Sequence, residues 1–581
     1  MRGLRTTLHR LPACAALALL APAQAQAPAT QPGPVTAILG ATVVDPSGPA
    51  LPDAVVLLRD GRITQVGPRA QVKVPPKAHR VEAQGRWLIP GLVDSHVHFF
   101  QSGGLYTRPD AFDLRREVPY AQEIATLKGK LADTFARTLR CGLTSVADVG
   151  GPLWNFEVRD LAAKDPHAPR VAVAGPLISS IDRAELNLGD PPIVKCATPE
   201  EARALVRRQA ERKPDFIKIW YVITPTETVE KNRPMVAATI AEAHRLGLRV
   251  AVHATELAAA KAALEAGADI LVHSVMDADV DEAFLKLAQA RKAIYIPTLV
   301  VTQGYRRTAS GQFAFLPEEF AWSDPWTLGT LFDPAHLEVS SLPRSLRNAR
   351  EHPQPLPDES VLARNLVKVF RAGITVAMGT DAGNIGTLHG PSIFREMAAM
   401  EAAGLTPTEV LRTATQGGAA LMGHPGDLGR IAPGALADLL LLDADPRLSS
   451  RNLARIHTIF RAGRALDPAS LIPDGPEALV QRQLNAYNAR NLEAFLAVYS
   501  PEVEAVDQDG KVLMKGLDAF RRRYADRFSH PGLHCLVVKR TVLGNRVIDE
   551  ERITGAGPDL TQATVTYDVK GDRIVRVRIS R

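Results

Sequence analysis

The sequence predicts an α/β protein: a (β/α)8 TIM barrel flanked by a small β-sandwich, with a further α+β domain behind it. Three observations predict this. Between residues 91 and 423, eight short apolar runs alternate with amphipathic helical stretches, the rhythm of a parallel barrel. Short alternating strand patterns precede that region at 35–90 and return at 429–466, so the two pieces are expected to complete one β unit beside the barrel. A stretch rich in Pro, Asp and Gly at 467–477 then separates a last segment with its own order, helices first and strands after.

Taken in order, residues 1–27 read as a secretory signal. Arg2, Arg5 and Arg10 make the basic start, and Leu11 to Ala23 is an apolar run too short to span a bilayer. Ala23-Gln-Ala25 and Ala25-Gln-Ala27 both suit a small-residue cleavage site, so the expected location is secreted or periplasmic. Residues 28–90 form the N-terminal part of the sandwich, with Asp60-Gly61 between two strand patterns as a hairpin signal. The barrel occupies 91–428. Its strands are expected at 92–100, 144–149, 170–178, 216–221, 249–254, 270–275, 294–301 and 374–381, with helices such as Pro199–Lys213, Arg233–Leu246 and Leu257–Ala266 between them. Residues 302–357 are too long for an ordinary connection. Residues 429–466 supply the closing strands of the sandwich, as in Ala437-Asp-Leu-Leu-Leu-Leu442. After the linker 467–477, the domain 478–581 is expected to open on one long helix over Glu477–Tyr499, to carry a second over Leu517–Arg527, and to finish in strands.

Composition narrows the function. Hydrophobic residues make up 46% and charged residues 23%, ordinary for a globular protein. The net charge of +6 falls to +3 (6 − 3) without the three leader arginines, too little to argue for nucleic acid, and no basic stripe stands out. No run past residue 27 is apolar enough to cross a membrane. Cys141, Cys196 and Cys535 are too few, and odd in number, for a disulfide framework. The expected partner is a small-molecule substrate.

In such barrels the functional groups gather at the C-terminal ends of the strands. Leu88-Ile-Pro-Gly-Leu-Val-Asp-Ser-His-Val-His-Phe-Phe100 runs into His96 and His98, which share one face as alternate strand residues. Alone, such a pair fits a structural role as well as a divalent metal. Four more groups join it. Asp215-Phe-Ile-Lys-Ile-Trp220 carries Lys218 inside an apolar run, and the next strands end on His253, His273 and Asp381. Six groups with metal-site chemistry on one rim outweigh coincidence. Burial of Lys218 would lower its pKa and give a neutral amine able to take up carbon dioxide, yielding an anionic, bidentate carbamate. A lysine snorkelling to solvent is the alternative.

These residues carry a resemblance. Pro90-Gly-Leu-Val-Asp-Ser-His-Val-His98, His253, His273 and Gly379-Thr-Asp-Ala-Gly383 resemble the motifs of strands one, five, six and eight in the amidohydrolase superfamily, and Gly434-Ala-Leu-Ala-Asp-Leu-Leu440 resembles the strand closing its sandwich. The likeness spans 35–466. Lys218 matches the subgroup in which a carboxylated strand-four lysine bridges two metals, and within it the imidazolonepropionase-like and prolidase-like members. The resemblance implies two divalent metal ions, zinc foremost, as cofactors. It places His96, His98 and Asp381 on the first, His253 and His273 on the second, and carboxylated Lys218 between them. It implies cleavage of an amide or peptide-like C–N bond by metal-activated hydroxide, with Asp381 moving the proton. Two other readings stay open: a mononuclear deaminase or cyclic-amide hydrolase using Glu256 of His253-Ala-Thr-Glu256, and a non-catalytic ligand-binding barrel. Thr255 and Glu256 also suit the start of helix 257–266, which is the favoured reading.

For the substrate, Tyr305, Phe313, Phe315, Phe320, Trp322, Trp326 and Phe332 crowd the stretch 302–357, as a lid over an apolar pocket would; a self-packed excursion is the alternative. Tyr305, Arg306 and His389 are the candidate substrate contacts. In the last domain, Val480 to Phe495, Tyr499-Ser-Pro-Glu-Val503 and Lys515 to Tyr524 resemble the opening of SnoaL-like domains, ketosteroid-isomerase-like α+β cones with a pocket. Asp507 and His534 are candidate pocket residues with no catalytic role assigned, a non-catalytic domain is the favoured reading, and a homo-oligomer contact stays open. The barrel is expected to work without this domain.

Overall fold

The computed structural model describes residues 33–352, 360–472, 474–557 and 559–580; the expected leader lies outside them. Eight short parallel strands form the centre: β1 (Leu92–Val97), β2 (Leu143–Asp148), β3 (Arg170–Val173), β4 (Ile217–Trp220), β5 (Val250–His253), β6 (Ile270–Val272), β7 (Ile294–Ile296) and β8 (Thr375–Val376). β1, β2 and β3 make one parallel sheet. β4 to β8 pair in sequence in a second, which Leu177–Ser179 and Ile193–Lys195 extend beyond β4. Backbone hydrogen bonds join the two sheets at both ends. Asp215 N–H donates to Val173 O (2.9 Å), Ser95 N–H to Met378 O (2.9 Å) and Asp381 N–H to His96 O (2.8 Å).

Each expected strand has a counterpart, and most end early. The apolar run at 374–381 pairs only over Thr375–Val376, and Asp381 sits at φ 62°. Apolarity reports burial, while the ladder stops where the backbone turns to aim side chains. Leu257–Ala266 is helical as expected. The helix assigned to Arg233–Leu246 begins at Val229, because Thr228 caps it by accepting from Lys231 N–H, and Pro234 lies inside rather than at its start.

Residues from 429–466 join those from 36–90 in one eight-stranded sheet. Leu439–Leu442 runs antiparallel between Trp87–Pro90 and Ile456–Arg461. Asp60 and Gly61 both have positive φ (50° and 75°), the geometry of a two-residue hairpin turn that twists with its strands.

The last domain is a six-stranded sheet with helices against it. Its opening helix is not continuous over Glu477–Tyr499. It breaks into Pro476–Asn488 and Leu492–Leu496, because Arg490 turns left-handed (φ 53°) and Asn491 caps the second piece. Tyr499 already belongs to the strand Tyr499–Val506. The stretch before it is docked. Asp474 accepts from Arg137 Nη2 (3.0 Å) and Arg482 Nε (2.7 Å). The excursion after β7 folds into helices, among them Val301–Ser310, Pro317–Trp322, Pro325–Thr330 and Arg344–Glu351. Its Phe320, Leu328 and Phe332 share one apolar core with Val480, Tyr487 and Phe495 of the last domain.

Candidate active site

The rim residues arrive together because alternate positions of β1 and the ends of β4, β5, β6 and β8 face one cavity of about 540 Å³. His96, His98, Lys218, His253, His273 and Asp381 all line it. The Nε2 atoms of His96 and His98 lie 3.2 Å apart, and Asp381 Oδ1 is 3.3 Å from the first and 3.1 Å from the second. His273 Nδ1 is 3.9 Å from Asp381 Oδ2, and its ring centroid is 4.5 Å from that of His253. Donor atoms of His96, His273 and Asp381 all lie within 4.8 Å of one another, a group able to hold a metal ion.

The backbone is bent to make this arrangement. His273 and Asp381 both adopt φ above 60°, unusual for residues with a Cβ and typical of functional sites held by their surroundings. Gly379 has a different reason: a Cβ there would sit 2.9 Å from both the backbone nitrogen and Cβ of His96. Asp94 ties β1 to the end of β8. It accepts from His96 N–H (3.1 Å), Thr380 N–H (3.0 Å) and Thr380 Oγ1–H (2.6 Å). His98 Nδ1 donates to Gly150 O (2.6 Å), leaving Nε2 as the acceptor side toward the cavity.

Electrostatics suit cation binding. Burial lowers the pKa of His96 and His253 well below the ordinary value and takes His273 to about 4, so these imidazoles are neutral at neutral pH. Burial works to raise Asp381, but the imidazoles of His96 and His98 outweigh it and hold the carboxyl well below the usual range. Lys218 is 1% exposed, and its Nζ has no hydrogen-bond partner. Burial pushes it down to about 7 against the pull of Asp381. An orphaned amine among neutral imidazoles and one carboxylate fits a site completed by cations and a lysine-borne anion.

The substrate candidates divide. Tyr305 and Arg306 line the cavity. His389 does not: its ring stacks on Phe99 (centroids 5.2 Å, planes 3° apart) and its Nε2 donates to Gln101 O (2.8 Å). Of the crowded aromatics of 302–357, Tyr305 is the one on the cavity wall; Phe313 stacks on Phe315, and Phe320 and Phe332 meet them edge to face. The apolar walls come instead from Phe100, Leu177, Leu186, Ile193, Trp220 and Met276. Glu256 stands at the N-cap of its helix without a side-chain cap bond; Asp277 takes Leu257 N–H instead (2.9 Å), and Glu256 does not line the cavity. Asp507 accepts from Asp509 and Lys511 N–H in a turn, and His534 stacks on His336 where the last domain meets the excursion.

Two residues that sequence reasoning passed over stand beside Asp381. Asn384 Nδ2 donates to Asp381 Oδ1 (2.7 Å), while Asn384 Oδ1 accepts from Tyr305 O–H (2.6 Å) and Arg108 Nη1 (2.7 Å). Two donors on Oδ1 fix which way the amide faces. Arg108 is held by both oxygens of Asp110 (2.7 Å each). Asn384, three residues past Asp381, was findable from its place on the strand-eight loop. Arg108 lies in an irregular stretch with no signal.

Comparison with known proteins gives the family of the chain. Residues 87–475 match the amidohydrolase family and residues 480–577 the SnoaL-like domain. An imidazolonepropionase of Cutibacterium acnes (strain DSM 16379 / KPA171202) is 28% identical over 452 residues, covering 73% of this chain and 93% of its own. A solved Xaa-Pro dipeptidase with bound methionine superposes with a TM-score of 0.57 at 21% identity, covering 74% of this chain and all of its own. A solved phenylurea hydrolase B gives a TM-score of 0.57 at 20% identity, covering 75% and 97%.

Proposed function

Because this chain belongs to the amidohydrolase family, and so is a hydrolase of C–N bonds, we propose that it is a binuclear metallohydrolase cleaving an amide or peptide-like bond of a small, largely apolar substrate. We read the eight parallel strands, joined at both seams, as its (β/α)8 barrel. The observation that carries the reading is the buried, unpartnered Lys218 Nζ among four histidines and Asp381. His96, His98 and Asp381 would hold one ion and His253 and His273 the other, zinc being the best match to this donor set. Lys218 would bridge them as a carbamate, its neutral amine adding to carbon dioxide and losing a proton.

When bound, the metal supplies positive charge that lowers the pKa of water and polarises a carbonyl. The chain does the rest. Asp381 would accept the proton of the attacking water and return it to the leaving nitrogen. Asn384 keeps its carboxylate aimed, and Tyr305 and Arg108 keep Asn384 aimed. Apolar walls around Trp220 and Leu186 exclude bulk water and take an apolar group of the substrate. The mononuclear alternative draws on the compact group His96, His273 and Asp381, but its deaminase form needs Glu256, which does not line the cavity.

Elemental analysis of active protein tests this. Two divalent ions per chain are expected; one ion with full activity would favour the mononuclear reading, and none would remove both. We further propose export, on the strength of the leader-like residues 1–27.

A further inference from the structure

Arg108 and Asp381 line the same cavity, and the amide of Asn384 stands between them. Its Oδ1 accepts from Arg108 Nη1 (2.7 Å), and its Nδ2 donates to Asp381 Oδ1 (2.7 Å). A guanidinium prefers a carboxylate to a neutral amide, since a charge-assisted bond is about twice as strong as a neutral one and is often two-pronged. Left to itself, Arg108 would pair with Asp381. A carboxylate so paired offers fewer lone pairs to a metal ion, and the ion meets a like charge nearby. A second carboxylate stands in the way. The Asp110 side chain is 4% exposed, and it accepts Arg108 Nε–H on Oδ1 and Nη2–H on Oδ2 (2.7 Å each). That fills one edge of the guanidinium and leaves Nη1 for Asn384. The local chain builds this pair. Pro109 fixes its own φ between the two residues, and Ala111 and Phe112 N–H both donate to Arg108 O (3.0 Å each), so the Asp110 carboxylate folds back on the residue two before it. Burial works to raise Asp110, but Arg108 outweighs it and holds the carboxyl below its ordinary value, so Asp110 stays anionic. Arg183 makes a looser contact: its Nε is 3.6 Å from Asp110 Oδ2, and its guanidinium lies over the Trp220 ring, 5.1 Å from the centroid. On the metal-site reading of the six rim residues, we propose that Asp110 is a positioning residue: it binds Arg108 in place of Asp381, so that the arginine reaches Asp381 only through the neutral amide of Asn384, and Asp381 stays free for metal.

The test measures zinc affinity of the full chain by competition with a chelator, which needs no substrate. Asp110→Asn, nearly the same in shape, removes the charge. Its zinc affinity should fall about 10–100-fold, the usual worth of a partner behind a metal ligand. Adding Arg108→Gln should restore most of that loss, because no guanidinium is then left to turn toward Asp381, while Tyr305 O–H still donates to Asn384 Oδ1. A carboxylate needed only for folding would not be rescued in this way. Adding Arg183→Gln instead should restore nothing. Full zinc affinity in Asp110→Asn overturns the inference, as does a double variant with Arg108→Gln no better than the single one. Equal rescue by Arg183→Gln also overturns it, since net charge and not the Arg108 contact would then be at work. Should Asp110→Asn not fold, Arg108→Gln is compared with Arg108→Gln/Asp110→Asn. These two should hold zinc alike, and a further loss of about tenfold on removing Asp110 would show that it acts without Arg108. An unaltered chain that binds no zinc removes the metal reading itself and this inference with it, whereas zinc held equally by the unaltered chain and Asp110→Asn removes the inference alone.

Discussion

Lys218 has no hydrogen-bonding reason to be where it is, and that makes it the first residue to test. Lys218→Ala should abolish most activity and lower metal content, and short carboxylic acids should restore part of both by standing in for the carbamate. Near-normal turnover with full metal content in the variant would end the bridging reading. Asp381→Asn should lower kcat by about 10²–10⁴-fold, the usual worth of general acid–base help, while Glu256→Gln, off the cavity, should change it little. A reversed ranking in steady-state kinetics would point to the deaminase chemistry. Asn384→Ala should lower kcat with KM nearly kept and should displace the pH–rate profile, since it frees the Asp381 carboxylate; an unchanged profile would make Asn384 merely structural. The six rim residues were legible in the sequence because each ends or interrupts an apolar run, and a polar group at that position has few other uses. His389 shows the limit of such reasoning. It lies near the site in sequence, yet its loop turns the ring onto Phe99. Arg108 was illegible for the opposite reason: tertiary contact with Asn384 and Asp110 alone gives it a place.

At the scale of elements, the metal-site candidates depend on how β1 is fastened to the segment after β8. That segment has left the β7 ladder by Met378, and the backbone bonds that join it to β1 are reinforced by side-chain bonds. Asp94 supplies three of them and is almost fully buried. Asp94→Ala would strand two amide donors and a hydroxyl, at about 1–3 kcal/mol for each group left unsatisfied. The variant is expected to melt several degrees lower and to hold metal more weakly, as read by calorimetry and by competition with a chelator. Equal melting and equal metal retention would show that water takes over the role of Asp94. Pattern reading located all eight central strands and missed their ends, because hydrophobic runs record what is buried and not what is paired. It also merged Pro476–Asn488 with Leu492–Leu496, since the apolar spacing continues across Arg490 while the backbone does not.

At the scale of the molecule, the last domain is less separable than its linker-like approach suggests. Arg482 is buried, and its guanidinium donates to Phe320 O and to Ser323 O (3.0 Å) of the excursion while bonding Asp474 (2.7 Å). Asn485 Nδ2 donates to Pro325 O (2.6 Å). The helix Pro325–Thr330 approaches Pro476–Asn488 so closely that a Cβ on Gly329 would lie 3.0 Å from Gln481 Nε2. The same excursion begins with Val301–Ser310, whose Tyr305 and Arg306 wall the candidate active-site cavity. A domain that could be cut away would leave behind polar ends facing water. This one would leave Phe320, Leu328 and Phe332 uncovered and would take their side-chain donors from the carbonyls of Phe320 and Pro325. Truncation after residue 472 is therefore expected to lower kcat/KM, through looser placement of Tyr305, and to promote aggregation. Arg482→Ala in the full chain is the gentler version. It should cost about 3–5 kcal/mol, the range for breaking a buried charged pair, and should raise KM more than it lowers kcat, because Tyr305 and Arg306 belong to the cavity wall. Differential scanning calorimetry and steady-state kinetics on the same preparations check both. A truncated chain that stays unaggregated, metal-loaded and as active as the full chain would return the last domain to the role of a passenger.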